Sequence, residues 1–245
     1  FSDQIGKILK GVDAILEEER PDRVLILGDT NSGLAAMMAA RRGIPVYHLE
    51  AGNRCYDDRV PEEINRRVID HCSTVLMPYT HRSAANLVRE GIERERIFVV
   101  GNPINQVMLA YDEEIQKSNV MESLSITEGE YFLVTAHRAE NVDDPESLKQ
   151  IVDAWDGITE AWNQPVLVSV HPRTSDKLTR FGITPQSEMV RLLDPLSFFD
   201  FGKLQRNARC VLTDSGTVQE ECCILHIPNV TVRHTTERPE TVECG

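Results

Sequence analysis

The sequence predicts an α/β protein with parallel sheets, divided into two domains. Short continuous apolar runs, such as residues 24–27 and 132–134, end in glycine or polar residues, as buried parallel strands do. Segments with apolar residues at helical spacing separate these runs. The chain has 245 residues, of which 41% are hydrophobic, so it can build one large core or two small ones. We favour two domains because the pattern of strand and helix restarts in the middle of the chain.

The first half of the chain predicts a helix followed by β-α units. The opening helix spans residues 1–20, with Phe1 on its apolar face. Asn31 or Ser32 is expected to cap the next helix, and Pro61 gives a later helix a well-formed start. A doubly wound sheet normally begins with a strand, so this start on a crossover helix predicts an incomplete first domain. Strands are predicted at 24–27, 46–49, 74–77 and 97–100, and helices at 34–40, 61–72, 81–90 and 107–117.

The second half repeats the pattern after a polar segment, residues 118–130. We place the junction in this neighbourhood and assign residues 1–102 to an N-terminal domain and 103–245 to a C-terminal domain. The chain is expected to stop without a closing helix. Strands are predicted at 131–134, 165–170, 190–193, 210–212 and 229–232, helices at 145–162 and 218–224, and a helical or irregular link at 196–207.

Charge and composition narrow the possible partners. The formal net charge of −13 argues against a nucleic-acid surface or an anionic membrane partner. No apolar run reaches the roughly 18 residues of a membrane span, and the start lacks the form of a signal peptide. We therefore expect a cytoplasmic protein. The six cysteines are dispersed without paired C-x-x-C spacing, which predicts reduced thiols and no metal site.

Three acids follow predicted strands or open a helix in the first domain. Asp29 and Glu50 end neighbouring strands, whose carboxyl ends share the edge where ligands bind in such sheets. Glu62 opens a helix beside Glu63. Each acid alone is compatible with a capping or loop-bonding role. Grouped with three nearby arginines they predict a site instead: Arg54, Arg59 and Arg66.

The second domain carries two histidines and a small-residue turn after its strands. His137 and His171 each follow a buried run and have an arginine within two residues, Arg138 and Arg173, a grouping suited to phosphate oxygens or to protonating a leaving group. The turn at Ser215 and Gly216 opens a helix whose N–H groups suit a diphosphate, and Glu221 could accept hydrogen bonds from a ribose. A simple capped β-α turn explains the same residues equally well.

The ordered motifs GDTNS, HLEAG, PEEINR, TAHRAEN, HPRT, LTDSGTVQEE and TTERPE resemble the non-hydrolysing UDP-N-acetylglucosamine 2-epimerases over nearly the whole chain. The resemblance implies two Rossmann-like domains of the glycosyltransferase B type, the first incomplete here. It also implies a UDP-sugar substrate, a homodimer, and no metal or redox cofactor. The family's N-terminal strand with its Gly-Thr-Arg turn and its C-terminal helix have no counterpart in this sequence.

The resemblance also implies residue roles. Asp29, Glu50, Glu62 and His137 match catalytic positions. The loop AGNRCYDDR resembles the branch that acts on 6-deoxy sugars of the UDP-N-acetyl-fucosamine pathway. The substrate-binding residues that we predict are Arg54, Arg66, Arg138, His171, Ser215, Gly216, Glu221 and Arg238.

The implied reaction agrees with elementary chemistry. The C2 proton of the sugar is not next to a carbonyl, so its direct removal by a base would be slow. Anti elimination of UDP avoids this problem, because it gives a 2-acetamidoglucal to which UDP can add again. A glycosyltransferase of the same architecture would share the Ser215 turn but would not need the three acids. A non-catalytic UDP-sugar-binding fragment is the third reading.

Overall fold

The computed structural model describes residues 2–244, so Phe1, predicted to lie in the first helix, is outside the described residues. Contacts divide the chain into two compact units. Unit 1 runs to Pro103 and also includes Thr235–Arg238, and unit 2 runs from Ile104 to His234 and resumes at Pro239. The return of Thr235–Arg238 to unit 1 had no signal in the sequence.

Unit 1 is a three-stranded parallel sheet with helices packed on it. The strands are in the order β1 (Val24–Leu27), β2 (Val46–Leu49) and β3 (Val75–Met77). Apolar side chains of β1 and β2 pack on the first three helices, with Ile26, Val46 and Ile69 in the core. Because the strands are parallel, the turns after β1 and β2 lie at one edge of the sheet. The helices are α1 (Ser2–Glu19), α2 (Ala36–Arg41), α3 (Pro61–Cys72) and α4 (His81–Arg89).

Two expectations for the start of unit 1 are wrong. The first strand is not fully buried: Ile26 is in the core, but Leu25 and Leu27 are 66% and 63% exposed. The reason is that β1 is an edge strand of this sheet and only one of its faces packs on helices. Asn31 and Ser32 do not cap a helix, since both lie inside a 3-10 helix, Asn31–Ala35. The side chain of Asn31 instead contacts Gln4 and Asn65.

Two further elements differ from the sequence prediction. Residues 97–100 do not form a regular strand: Ile97 makes an isolated bridge with Leu76, and Phe98 and Val100 each donate one backbone hydrogen bond to the β3 side. The helix predicted at 107–117 is two helices, α5 (Ile104–Ala110) and α6 (Asp112–Lys117). Tyr111 separates them with non-helical angles, φ −107° and ψ 16°, and its ring packs on two phenylalanines, Phe198 and Phe199.

Unit 2 contains five parallel strands, β4 (Phe132–Thr135), β5 (Val166–Ser169), β6 (Val190–Leu193), β7 (Cys210–Thr213) and β8 (Asn229–Thr231). They form one sheet in the order β6-β5-β4-β7-β8. The first strand of the unit, β4, lies in the middle, and the strand order reverses between β4 and β7. This is the Rossmann arrangement, in which ligands bind beyond the carboxyl ends of the strands at the reversal.

Helices cover both faces of this sheet. Val134 and Val168 pack on one side with Trp155, while Leu133 and Val211 pack on the other. The short α8 (Ala139–Val142) and α13 (Pro239–Glu243) and the polar α10 (Pro172–Phe181) were not predicted, because they carry few apolar residues at helical spacing. The five-residue α13 corrects the expectation that the chain ends without a closing helix. These helices are α7 (Val120–Ser123), α8 (Ala139–Val142), α9 (Pro145–Trp162), α10 (Pro172–Phe181), α11 (Phe198–Asn207), α12 (Gly216–Ile224) and α13 (Pro239–Glu243).

Candidate active site

Asp29 lies at the carboxyl end of β1, where the sequence placed it. Arg66 of α3 binds its carboxylate oxygen Oδ2 through Nε at 2.9 Å and through Nη2 at 2.7 Å. The amide of Asn65 donates to the Asp29 carbonyl at 3.0 Å. The side chain of Arg66 is almost fully buried, while that of Asp29 remains 20% exposed. The start of α3 therefore fixes the Asp29 turn and leaves part of the carboxylate accessible.

Glu50 follows β2 and takes a left-handed backbone conformation, φ +73°. Such a conformation is uncommon for a residue with a Cβ and costs about 1–3 kcal/mol, so surrounding contacts must enforce it. Arg238 donates to the Glu50 carboxylate, and Asn53 does so at 3.4 Å. A Cβ placed on Gly28 would lie 3.8 Å from Glu50 Oε2. The Glu50 carboxylate therefore lies beside the turn that carries Asp29.

Glu62 is in the first turn of α3, three and four residues before Asn65 and Arg66. This spacing places it on the helix face whose side chains contact Asp29. Glu62 is half-buried. Among residues 2–244 it has neither a hydrogen-bond partner nor an ion pair. Its carboxylate is thus the least committed of the three acids.

Glu63 has the opposite environment, and the sequence did not distinguish it from Glu62. It is fully buried and accepts hydrogen bonds from the backbone N–H groups of Cys55 and Tyr56 and from the guanidinium groups of Arg66 and Arg67. Burial alone would raise the pKa of Glu63, but these donors and the charge of Arg66 hold it below its ordinary value. Glu63 lies two residues before Asn65, whereas Glu62 lies three residues before it. This difference in helical position is the sequence signal that would have separated the two glutamates.

Arg54, predicted to bind substrate, is committed to the interior of unit 1. Its side chain is fully buried and pairs with Asp70 at 2.8 Å and Glu90 at 2.5 Å, and Nη1 donates to the Asn53 carbonyl at 2.7 Å. Burial opposes its charge, but the two carboxylates raise its pKa above the ordinary value. The structure makes Arg54 a structural cation. Arg238, in contrast, reaches the candidate acid Glu50 and also pairs with Glu237.

The second group of predicted residues lies at the strand reversal of unit 2. His137 and Arg138 follow β4, and Ser215 and Gly216 follow its neighbour β7. Asp214, which the sequence analysis missed, joins the two turns. It is fully buried and accepts hydrogen bonds from the backbone N–H groups of His137 at 2.9 Å and Arg138 at 2.8 Å. Its position directly after a predicted strand was the available signal.

His137 and His171 are brought together, with ring centroids 5.4 Å apart. Burial lowers the pKa of His137 below its ordinary value, although Asp214, 3.3 Å from Nδ1, acts in the opposite direction. The ring of His137 is therefore neutral near pH 7. His171 is exposed and caps α10, where its Nδ1 accepts the Arg173 N–H at 3.1 Å. Both imidazoles are accessible to solvent, since the His137 side chain is 34% exposed.

The start of α12 has the features of an anion site. Ser215 is the N-cap residue but its hydroxyl makes no capping bond, and it has no other partner in the part of the chain that the structure describes. Gly216 is buried at the first helical position. Glu221, more than one turn further along, is also buried, and the Gln205 amide donates to it at 3.0 Å. Burial raises the pKa of Glu221 above its ordinary value.

Neither a membrane-spanning helix nor a cluster of metal-binding side chains is found in residues 2–244.

The fold and these two groups of side chains define an α/β enzyme with two Rossmann-like units. The family model described as UDP-N-acetylglucosamine 2-epimerase matches residues 1–245. The chain belongs to this family of isomerases, as the resemblance predicted.

Similar proteins agree with this assignment. A UDP-N-acetylglucosamine 2-epimerase of Methanocaldococcus jannaschii is 42% identical over 250 residues, which cover 99% of this chain and 68% of the relative. A UDP-2,3-diacetamido-2,3-dideoxy-D-glucuronate 2-epimerase of Pseudomonas aeruginosa is 38% identical, with 98% of this chain and 66% of the relative covered. The chain thus spans about two thirds of the length of these relatives.

Solved structures give the same result. The crystal structure of the M. jannaschii enzyme in complex with UDP-GlcNAc and UDP matches with a TM-score of 0.92 and 44% identity, over 98% of this chain and 68% of that one. A UDP-N-acetylglucosamine 2-epimerase of Rickettsia bellii matches with a TM-score of 0.89 and 40% identity, over 99% and 64%. The predicted fold class, two Rossmann-like domains of the glycosyltransferase B type, is confirmed.

Proposed function

We propose that this chain carries the site of a UDP-N-acetylglucosamine 2-epimerase that interconverts UDP-N-acetylglucosamine and UDP-N-acetylmannosamine. The feature that carries the proposal is the arrival of Asp29 and Glu50 at one edge of unit 1, with Glu62 on the same helix as the residues that contact Asp29. Family membership and the nucleotide-sugar complex of the M. jannaschii relative support the same reaction. A protein that only binds or transfers a UDP-sugar has no need for three carboxylates there.

The reaction begins with elimination. A carboxylate removes the C2 proton, the electron pair of that bond forms a C1=C2 double bond, and the C1–O bond breaks so that its electrons leave on the β-phosphate of UDP. The product is a 2-acetamidoglucal. A proton then adds to C2 from the opposite face while the UDP oxygen attacks C1, which restores the glycosidic bond with C2 inverted. Proton transfers of this kind by placed side chains contribute about 10²–10⁴-fold to rate.

Glu62 is the carboxylate best suited to exchange a proton with C2, because no residue in the described part of the chain engages its carboxylate in an ion pair. Asp29 is paired with Arg66 and Glu50 with Arg238, an arrangement that suits a base or a stabilising charge better than a proton donor. These roles need no redox cofactor.

Unit 2 supplies the UDP contacts in this proposal. The Ser215 hydroxyl and the free N–H groups at the start of α12 suit the diphosphate. His137 and Arg138 stabilise the charge that develops on the leaving oxygen. His171 lies beside His137 and completes the group. Glu221 is assigned to the ribose, and Arg238 to the sugar through its contact with Glu50.

The test is turnover in deuterated water. Elimination and return require that C2 exchange its proton, so deuterium is expected at C2 of both sugars, detected by NMR or mass. Glu62→Gln and Asp29→Asn should each lower turnover by about 10²–10⁴-fold while UDP still binds. Glu114→Gln, an exposed acid on α6, is the control. Turnover without deuterium would exclude the elimination route, and transfer of the sugar to an acceptor would favour a glycosyltransferase.

A second candidate is the same inversion on a different UDP-sugar. The P. aeruginosa relative is named for a diacetamido-glucuronate, and the loop AGNRCYDDR resembles the branch for 6-deoxy sugars. Comparing kcat/KM for UDP-sugars that differ at C3 and C6 decides between the substrates. If the chain binds UDP but turns over none of these sugars, the result would support the third alternative, a non-catalytic UDP-sugar-binding fragment. The homodimer and the cytoplasmic location stay predictions.

A further inference from the structure

We propose that Asn141 is a positioning residue that fixes the turn carrying His137 and Arg138 in the candidate nucleotide site of unit 2. Asn141 is the last residue of the motif TAHRAEN, and it has no role in the proposed reaction. It lies on α8 and is buried. Its neighbour Val142 is fully buried in the core of unit 2, so the short helix that carries Asn141 is anchored.

The side-chain amide of Asn141 joins the ends of two other strands. Its Nδ2 atom donates to Asp214 Oδ2 at 3.0 Å and to the carbonyl oxygen of Val232 at 2.9 Å. Asp214 directly follows β7, and Val232 directly follows β8. A backbone carbonyl can only accept, so the nitrogen of the amide, and not its oxygen, must face Val232. The orientation of the amide is therefore fixed by its partners.

Asp214 connects this amide to the turn after β4. The backbone N–H groups of His137 and Arg138 donate to Asp214 Oδ2 at 2.9 and 2.8 Å. This is the same oxygen that Asn141 contacts, and because backbone N–H groups can only donate, it is the acceptor of all three bonds. The backbone N–H of Asn141 also donates to the Arg138 carbonyl at 3.0 Å. Asn141 thus contacts the turn directly and, through Asp214, a second time.

These bonds link the ends of three neighbouring strands at the edge where UDP is proposed to bind. The strands β4, β7 and β8 are adjacent in the sheet, and Ser215 follows β7 one residue after Asp214. Removing the amide would take one donor from the buried Asp214 and another from the Val232 carbonyl. Buried polar groups that lose a partner are costly, so the turns would shift or open to water. Asn141 therefore fixes where His137 lies relative to the Ser215 turn.

Asn141 acts through other residues, because its amide nitrogen is occupied by Asp214 and Val232. The turn that it holds carries His137 and Arg138, which in the proposed function stabilise the charge on the leaving UDP oxygen. The kinetic part of this proposal rests on the proposed function, whereas the fixed position of the turn does not.

The position of the turn is tested by hydrogen exchange, followed at single backbone amides by NMR of the full chain labelled with ¹⁵N. In Asn141→Ala we expect the amides of His137 and Arg138 to exchange about 3–10-fold faster, the effect of losing one ordinary hydrogen bond. The matched control is Asn207→Ala. The Asn207 amide also donates to a backbone carbonyl, that of Lys203 at 2.7 Å, but it lies before β7, at the opposite edge of the sheet.

General stability is followed in the same spectra at Leu167, which is fully buried in the interior strand β5. Its exchange should not change in either variant. Asn141→Leu keeps the volume of the side chain but removes the donor, so it should accelerate the same two amides even if Asn141→Ala does not fold. Unchanged exchange at His137 and Arg138, or an equal acceleration at Leu167, would overturn the proposal.

The kinetic role is tested by a double-mutant cycle with His137→Gln. Asn141→Ala alone should lower kcat roughly 10–100-fold and leave KM within about 3-fold, because misplacing a group that acts in the transition state has effects up to about 10². Asn207→Ala should retain the parent kcat. In the His137→Gln background, Asn141→Ala should lower kcat by less than about 3-fold, since the group that it positions is already absent.

Equal losses of kcat in the two backgrounds would overturn the kinetic role of Asn141. Failure of the proposed function would show separately, as no turnover by the unmodified chain. Hydrogen exchange would then still decide whether Asn141 holds the turn.

Discussion

Two adjacent glutamates at the start of α3, Glu62 and Glu63, have different roles because their side chains leave the helix in different directions. Glu62 has no ion pair in the described part of the chain, whereas Glu63 is buried and bound by Arg66 and Arg67. The residue type alone does not distinguish the two positions, because both are glutamates. Their environments suit one to proton transfer and the other to holding the loop before the helix.

We expect the same substitution at these two positions to have opposite effects. Glu62→Gln should lower turnover by about 10²–10⁴-fold and change the free energy of unfolding by less than about 0.5 kcal/mol. Glu63→Gln should lower the free energy of unfolding by about 3–5 kcal/mol, because it removes a fully buried carboxylate that pairs with the guanidinium groups of Arg66 and Arg67. Urea unfolding and steady-state kinetics of both variants are the measurements.

The pH dependence provides a second readout for Glu63. A carboxyl group whose folded pKa lies below its ordinary value contributes stability above that value and loses it as the pH falls through the folded pKa. The acid-side loss of stability should therefore be smaller in Glu63→Gln than in the parent chain. If the loss of stability at acid pH is the same in Glu63→Gln as in the parent chain, the role given to Glu63 is wrong.

His137 should take up a proton when UDP binds. Burial lowers its pKa, so the ring is neutral in the free chain near pH 7, and a phosphate beside it favours the charged form. Calorimetric titrations in buffers of different ionisation enthalpy measure this uptake. UDP affinity should increase as the pH falls from 8 toward 6.

The variant His137→Gln should lose most of this uptake. His226→Gln serves as the control, because His226 is exposed and precedes β8, at the other edge of the sheet. If His137→Gln takes up as many protons as the parent chain, the assignment of His137 to UDP is wrong.

At the scale of elements, α11 and α12 begin with serine for different reasons. Ser197 caps α11, where its hydroxyl accepts the N–H of Asp200 at 3.1 Å. Ser215 occupies the same position on α12 but makes no capping bond, so the helix start keeps its donors for a ligand. The sequence pattern of the two helices does not reveal this difference.

Ser215→Ala should weaken UDP binding by about 10–150-fold, since a hydrogen bond to a charged group contributes about 1.5–3 kcal/mol, and it should leave stability nearly unchanged. Ser197→Ala should show the reverse, a loss of about 1 kcal/mol of stability and unchanged UDP affinity. Calorimetry and urea unfolding of the pair separate a ligand contact from a cap. Equal UDP affinities for the two variants would exclude Ser215 from the nucleotide site.

At the scale of the whole molecule, the chain forms two compact units with different chemistry. Unit 1 holds the acids and their buried ion pairs, and unit 2 holds a strand reversal with histidines and a free helix start. Nucleotide binding and proton transfer are therefore expected to depend on different parts of the sequence. Variants of the acids in unit 1 should therefore lower turnover and leave UDP binding intact.

UDP alone should stabilise unit 2 selectively. A ligand present at 100 times its Kd raises the free energy of unfolding of the part that binds it by about 2.7 kcal/mol. Hydrogen exchange should therefore slow in β4, β7 and the start of α12, with β1 and β2 little changed. Equal protection of β1 and β4 would show that UDP binding is not confined to unit 2. Lysozyme, incubated with the same UDP, controls for nonspecific effects of the nucleotide on exchange.

Much of the fold was readable from the sequence because buried parallel strands and long amphipathic helices leave strong local patterns. The strand 190–193 and the helix 145–162 have the predicted bounds. The misses fall where the local pattern is weak or tertiary contacts decide. Leu25 and Leu27 are apolar like core residues but lie on a face of the sheet that no helix covers. The helix α13 was missed because it has no apolar residues at helical spacing that would predict it.

For the candidate site, the sequence by itself determined which residues arrive at the carboxyl ends of strands, because strand periodicity and chain order fix that edge. It placed Asp29, Glu50, His137 and Ser215 correctly at their turns. Only the tertiary structure decided which charges are paired. Arg54 became an internal partner of Asp70, and Glu63 became the anchor of a loop. The physical reason is that the strength of an ion pair depends on the distance between its charges and on the exclusion of water, and neither can be read from the spacing of residues along the sequence.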